Sequence, residues 1–212
     1  MPVFETVSEN EPLAPGTSDG DAAGATTNAL TRGGVRAVEV TANTSGFRQT
    51  LDSLSESYGG EAVAIGAGTV LDAETARAAI VSGAEFLVTP TFDEEVVTTG
   101  NRYDVPVLVG VATPSEALAA YEAGAAMCKI FPSASVGPAF VSALGGPLAQ
   151  IPLVPTGGVS RENAPAFFEA GAAAVGIGSA IAPTAAVEGR EYDEIERRAS
   201  AFLAIARDHR RG

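Results

Sequence analysis

A small (β/α)8 barrel, an α/β fold in a single domain, is the class of structure this sequence predicts. Three observations carry the prediction. The apolar stretches are near-continuous rather than alternating, as expected for parallel strands whose faces are covered by helices. Helix-like stretches ending in small residues with glycine run straight into an apolar strand in TRGGVRAVEVT, VSGAEFLVTP, EAGAAMCKIFP and EAGAAAVGIGS. A second strand signal lies inside each interval between them, in EAVAIGAGTV, VPVLVGVA and IPLVPTGGV. Strand and helix therefore alternate along a chain of 212 residues, near the lower size limit of the barrel. A doubly wound open sheet would want a glycine fingerprint after its first strand, and none is there.

The strands are expected near 36–42, 62–68, 86–90, 105–112, 127–132, 151–156 and 173–178. Gly34, Gly83, Gly124 and Gly171 stand where a helix would end on a left-handed cap. The eighth strand must lie upstream. Pro12-Leu13-Ala14-Pro15-Gly16 is its best candidate, although two prolines remove ladder donors, and a helix over 19–32 would follow. Residues 1–11 then read as a flexible lead, and 12–212 as the barrel. The chain ends in a helix with apolar residues at Ile195, Ala199, Phe202, Leu203 and Ala206, its late arginines suiting the negative end of the dipole. Asp93-Glu94-Glu95 reads as the opening of another helix.

Composition narrows the function classes. A net charge of −13 argues against nucleic acid and anionic membranes as partners. No apolar run approaches the roughly 18 residues of a membrane span, and the start is too acidic for a signal peptide, so a cytoplasmic protein is expected. Acid excess with almost no lysine suggests a halophilic host, where salt screens the repulsion; an ordinary acidic cytosolic protein is the alternative. One cysteine excludes an internal disulfide. One histidine, His209, leaves no basis for a His-rich metal site, and no spacing of acids supplies another.

Thirteen residues are basic, and twelve of them are arginines. The single lysine, Lys129, sits in the apolar run Met127-Cys128-Lys129-Ile130-Phe131-Pro132. A guanidinium stays protonated and cannot attack a carbonyl carbon, whereas a desolvated primary amine can form a Schiff base. Free lysine, with a pKa near 10.4, is neutral in only about one molecule in 2,500 at pH 7, and burial raises that fraction. Strand alternation places Met127, Lys129 and Phe131 on one face and Cys128 on the other, where it reads as a core thiol. A lysine at a strand end with its head in water is the plainer alternative.

Glu39 interrupts Val38-Glu39-Val40, where a charge is costly unless used or paired. It could shuttle protons near the amine, across the barrel from Lys129, or form a purely structural ion pair with Lys129 or an arginine. Thr156-Gly157-Gly158-Val159 and Gly176-Ile177-Gly178-Ser179 close the last two strands, where barrels frequently hold phosphate on backbone amides. Tight-turn geometry alone is the alternative for both. Gly66-Ala67-Gly68-Thr69 resembles the start of a dinucleotide fingerprint, but Leu71 takes the third glycine's place and the nucleotide reading fails. Asn43-Thr44-Ser45 matches a glycosylation pattern by chance.

Five motifs occur in order: EVT at Glu39–Thr41, GAGTV at Gly66–Val70, Lys-x-Phe-Pro at Lys129–Pro132, PTGGV at Pro155–Val159 and GIGS at Gly176–Ser179. Over about residues 30–182 the chain resembles the 2-keto-3-deoxy-6-phosphogluconate (KDPG) aldolase family, grouped with 4-hydroxy-2-oxoglutarate aldolase. The resemblance implies a class I aldolase barrel, a homotrimer without metal or other cofactor, acting on a phosphorylated keto sugar acid. It implies that Lys129 forms the Schiff base and Glu39 moves protons. Thr69, Pro90, Phe131 and Thr156 would line the pyruvate pocket, and Gly157, Gly158, Gly178 and Ser179 would hold the phosphate. The expected reaction is cleavage of KDPG to pyruvate and glyceraldehyde 3-phosphate. Alternatives are 4-hydroxy-2-oxoglutarate or the 6-phosphogalactonate epimer as substrate, or a catalytically poor phosphosugar-binding barrel. The family arginine shortly after EVT is replaced by Asn43, for which Arg48 is a possible substitute.

Overall fold

The computed structural model describes residues 3–7, 19–59 and 63–209. The strands are β1 (Val3–Val7), β2 (Ala37–Thr41), β3 (Ala64–Gly68), β4 (Phe86–Val88), β5 (Val107–Val111), β6 (Met127–Ile130), β7 (Leu153–Pro155) and β8 (Val175–Ile177). Between them run the helices α1 (Asp19–Arg32), α2 (Phe47–Tyr58), α3 (Ala73–Val81), α4 (Glu94–Arg102), α5 (Pro114–Glu122), α6 (Ser133–Gly145) and α7 (Ala164–Glu169). A short α8 (Thr184–Glu188) and the long α9 (Tyr192–Asp208) follow the last strand. Neighbouring strands pair in parallel from β1 to β7, and β1 also pairs with β8. A single bridge between Thr156 and Gly176 joins the two remaining edges, so the eight strands close into the predicted barrel.

The seven strands expected from residue 36 onward form where the apolar runs lie, each a few residues shorter than its run. The first strand requires a correction. It is Val3–Val7, inside the segment expected to be a flexible lead; the expected candidate, residues 12–16, lies outside the described residues. Its cause is two-sided pairing: Phe4 to Val7 align with Ala37 to Val40, and Val3 to Glu5 with Val175 to Ile177. Ladder bonds to both neighbours outweigh a local pattern that is only partly apolar.

The recurring glycines do what their positions suggested. Gly34, Gly83, Gly124 and Gly171 all adopt left-handed φ, between 88° and 98°. After each, the next amide returns to a carbonyl five residues back, as in Val35 to Leu30, Ala84 to Ala79, Ala125 to Ala120 and Ala172 to Phe167. This Schellman geometry satisfies helix-end carbonyls and turns the chain into the following strand. At the opposite ends of the helices, Asp72, Asp93 and Thr113 cap α3, α4 and α5 by accepting amides of the first turn. The glycine caps thus fix where β2, β4, β6 and β8 begin, and the side-chain caps fix where α3, α4 and α5 start.

Strand alternation sorts the buried side chains into two cores. Val38, Val40, Ile65, Leu87, Val109, Cys128, Ile130, Val175 and Ile177 face outward into the helix layer. Ala37, Phe86, Val88, Leu108, Val154 and Ala174 form a smaller apolar core inside the barrel. In α9, Ile195, Ala199, Phe202 and Ala206 are buried. No helix among the described residues is long and apolar enough to cross a membrane.

Candidate active site

Lys129 lies on β6 between Gly110 of β5 and Val154 of β7, pointing inward and only 9% exposed. Glu39, on β2, is 5% exposed. Both line one cavity of about 10 Å3, completed by Val88, Leu108, Val154, Thr156 and Gly176, with room for roughly one water molecule. The inner apolar core forms its floor, so a charge here loses most of its hydration. Burial therefore holds the Lys129 amine below the ordinary lysine range, while the negative charge of Glu39 opposes the shift. The Phe131 ring stands at 4.9 Å from the Lys129 Nζ and is 44% exposed, at the outer side of the cavity. It gives the protonated amine an aromatic face and the neutral amine an apolar wall.

Thr156 lines the cavity itself, and its hydroxyl donates to the Val154 carbonyl at 3.3 Å. Thr69 follows the end of β3 with φ 54°, a left-handed conformation uncommon for a β-branched residue. Pro90 follows β4, and its carbonyl crosses so close to Gly110 that a Cβ there would lie 2.2 Å from it. Thr69 and Pro90 are both half-buried, at the strand ends that open toward the mouth.

Gly157 and Gly158 have φ of 83° and 78°, so the turn after β7 needs glycine at both positions. Gly178 is half-buried and Ser179 exposed after β8, directly beside that turn because β7 and β8 are neighbours. The predicted phosphate residues are thus brought together on one side of the mouth. Gly178 accepts the Ile181 and Ala182 amides, which folds the loop back toward α8.

Sequence reasoning missed the residues that hold these loops in place. Ser133, fully buried at the start of α6, donates its hydroxyl to Gly157 O at 2.9 Å, and its amide bonds Thr156 O at 2.8 Å. Thr89 accepts the Gly110 amide and donates to Thr91 O at 2.7 Å. Small hydroxyl residues beside proline and strand ends were the available signal. Arg48 does not line the Lys129 cavity. It borders an outer groove of about 520 Å3 with Glu74, Arg77, Arg102 and Tyr103, and so is not placed to replace the missing arginine. Asn43 is exposed in the loop after β2. Cys128 is fully buried against the helix layer, where lost hydration pushes its thiol up to about 11 and leaves it a poor nucleophile.

An amine of lowered basicity, a buried carboxylate and one hydroxyl group, that of Thr156, at one small cavity can form an imine and move protons beside it. Comparison with known proteins agrees with this chemistry. The model of the "KDPG and KHG aldolase" family matches residues 16–198. A 2-dehydro-3-deoxy-6-phosphogalactonate aldolase of Escherichia coli is 35% identical over 89% of this chain and 90% of its own. A 2-dehydro-3-deoxy-phosphogluconate aldolase of Pseudomonas aeruginosa is 37% identical over 87% and 83%. Among solved structures, a KDPG aldolase of Legionella pneumophila, with pyruvate captured at low pH as a covalent carbinolamine intermediate, superposes with a TM-score of 0.82. It is 28% identical and covers 94% of this chain and 93% of that one.

Lysine labelled with 13C yields one signal in this chain, so the amine can be titrated directly by NMR. Its midpoint is expected below the free-lysine value of about 10.4. Glu39→Gln removes the charge that favours the ammonium and should move the midpoint further down; an upward move would contradict the described electrostatics.

Proposed function

We propose that this chain, which belongs to the KDPG and KHG aldolase family and is a class I aldolase, cleaves a phosphorylated 2-keto-3-deoxy sugar acid, with KDPG itself as the leading substrate. The observation that carries the reading is the only lysine of the chain, buried on β6 in a cavity shared with Glu39. Neutral Lys129 attacks the C2 ketone to give a carbinolamine, which loses water to become an iminium. Removal of the C4 hydroxyl proton breaks the C3–C4 bond, and its electron pair flows into the iminium to leave an enamine. Glyceraldehyde 3-phosphate departs. A proton then returns to C3, and hydrolysis of the imine releases pyruvate and the free amine. Glu39 moves these protons, directly or through the one water that the cavity can hold.

Thr69, Pro90, Phe131 and Thr156 enclose the pyruvyl part, and the Gly157-Gly158 and Gly178-Ser179 turns receive the phosphate. Their adjacency at the ends of β7 and β8 favours a phosphorylated substrate, since this is the side of a barrel that frequently binds phosphate. The gluconate and galactonate epimers differ only at C4, and both activities occur among relatives of similar identity. The galactonate-type substrate is therefore the second reading, and 4-hydroxy-2-oxoglutarate, which lacks a phosphate, the third. A barrel that binds phosphosugars without turnover is the reading of a different class.

Pyruvate release from the three substrates, followed in a coupled assay, separates these. The phosphorylated acids should give the higher kcat/KM. Ser179→Ala should raise KM for them by roughly tenfold and leave 4-hydroxy-2-oxoglutarate unaffected. Lys129→Ala should lose about 1,000-fold or more of turnover. Retained turnover in that variant contradicts the imine mechanism, and ligand binding without turnover in the wild type supports the binding barrel.

The reading extends to a homotrimer in a salt-rich cytoplasm, supported by the family resemblance and the acid excess. Among the described residues Leu71, Val81, Tyr103, Leu118, Tyr121 and Val136 are exposed large apolar side chains available to such an assembly. Light scattering in molar salt should report a trimer, and a monomer there contradicts this part of the reading.

A further inference from the structure

We propose that Gly68 is a positioning residue: the bare backbone at the end of β3 seats the Glu39 carboxylate and sets where it stands relative to Lys129. The inference rests on the reading of Glu39 as the group that moves protons. In the β2–β3 ladder the register partner of Glu39 is Gly66, and Gly68 is opposite Thr41. The space over Gly66 is already taken, because a Cβ there would lie 2.4 Å from the Phe86 ring arriving from β4. The Glu39 side chain therefore leans one inward position further along β3, toward the mouth. A Cβ on Gly68 would lie 2.7 Å from its Oε1, 2.8 Å from its Cδ and 3.2 Å from its Oε2.

Two bare positions on one strand are thus filled from opposite neighbours, an aromatic ring below and a carboxylate above. Gly68 is not among the glycines with left-handed φ, so its backbone would accept alanine. Space is what demands glycine there. A methyl group on Gly68 collides with the carboxylate and must displace it. Thr156 and Gly176 repeat the arrangement on the other side of the cavity, where a Cβ would lie 2.3 Å from the Thr156 hydroxyl.

The test compares wild type, Gly68→Ala and the double variant Gly68→Ala/Glu39→Asp. Its first readout needs no turnover: the titration midpoint of the single lysine, which senses the Glu39 charge. Gly68→Ala should move that midpoint. It should also lower kcat by about 10- to 100-fold with KM changed by no more than about threefold, because the proton mover is displaced and the binding loops are not. Aspartate is one methylene shorter and withdraws the carboxylate from the new methyl, so the double variant should exceed Gly68→Ala in kcat. If Gly68→Ala does not fold, the double variant should.

An unchanged midpoint with kcat within about threefold of wild type overturns the proposal, as does a double variant that neither folds nor gains over the single. A wild type without aldolase turnover defeats the functional reading alone, since the lysine titration still reports whether Gly68 places Glu39.

Discussion

One amine held against its preference for water is the constraint on which the rest of this structure depends. Lys129 is confined by Val88, Leu108, Val154 and the Phe131 ring, and Glu39 is the carboxylate that shares its cavity. Desolvation alone would favour the neutral amine. A tight ion pair alone would hold it protonated and unreactive. The cavity combines both influences, and burial is the larger one. An apolar floor supplied by inward residues of several strands is needed for this balance, which a closed barrel provides and a sheet with one wet face does not.

Space inside the barrel is allotted by the residues that are missing as much as by those present. Gly66, Gly68, Gly110 and Gly176 carry no side chain where Phe86, Glu39, the Pro90 carbonyl and Thr156 come in from adjacent strands. A side chain at any of these four points would collide with the group already there. In the outer layer, small helix residues such as Ala76, Ala79, Ala117 and Ala120 pack on Val, Ile and Leu of the strands' other face. Inward-facing and outward-facing groups are separated by a single residue step, as with Lys129 inside and Cys128 outside.

Most of the barrel was legible because its signals are local. Apolar runs of strand length and glycines at helix ends mark the chain wherever the unit recurs, and the caps at Gly34, Gly83, Gly124 and Gly171 formed as expected. The first strand was not legible, because Val3–Val7 holds Glu5 and Thr6 and owes its conformation to ladders with β2 and β8, far away in sequence. Lys129 and Glu39 stood out as charges in apolar runs. The GAG of residues 66–68 was visible but unreadable, since the groups that need its space arrive from β2 and β4. Arg48 shows the opposite error: a side chain near in sequence to a predicted gap, which the helix carries to an outer groove.

The central claim, that Lys129 is the electrophile-capturing amine, is tested most directly by reducing the protein with borohydride in the presence of pyruvate and mapping the adduct by mass. The chain offers one lysine, so the main competing primary amine is its own terminus. A single stable adduct on the peptide containing Lys129, absent in Lys129→Ala, is the predicted result. Folded protein that gives no adduct at Lys129 would contradict the account.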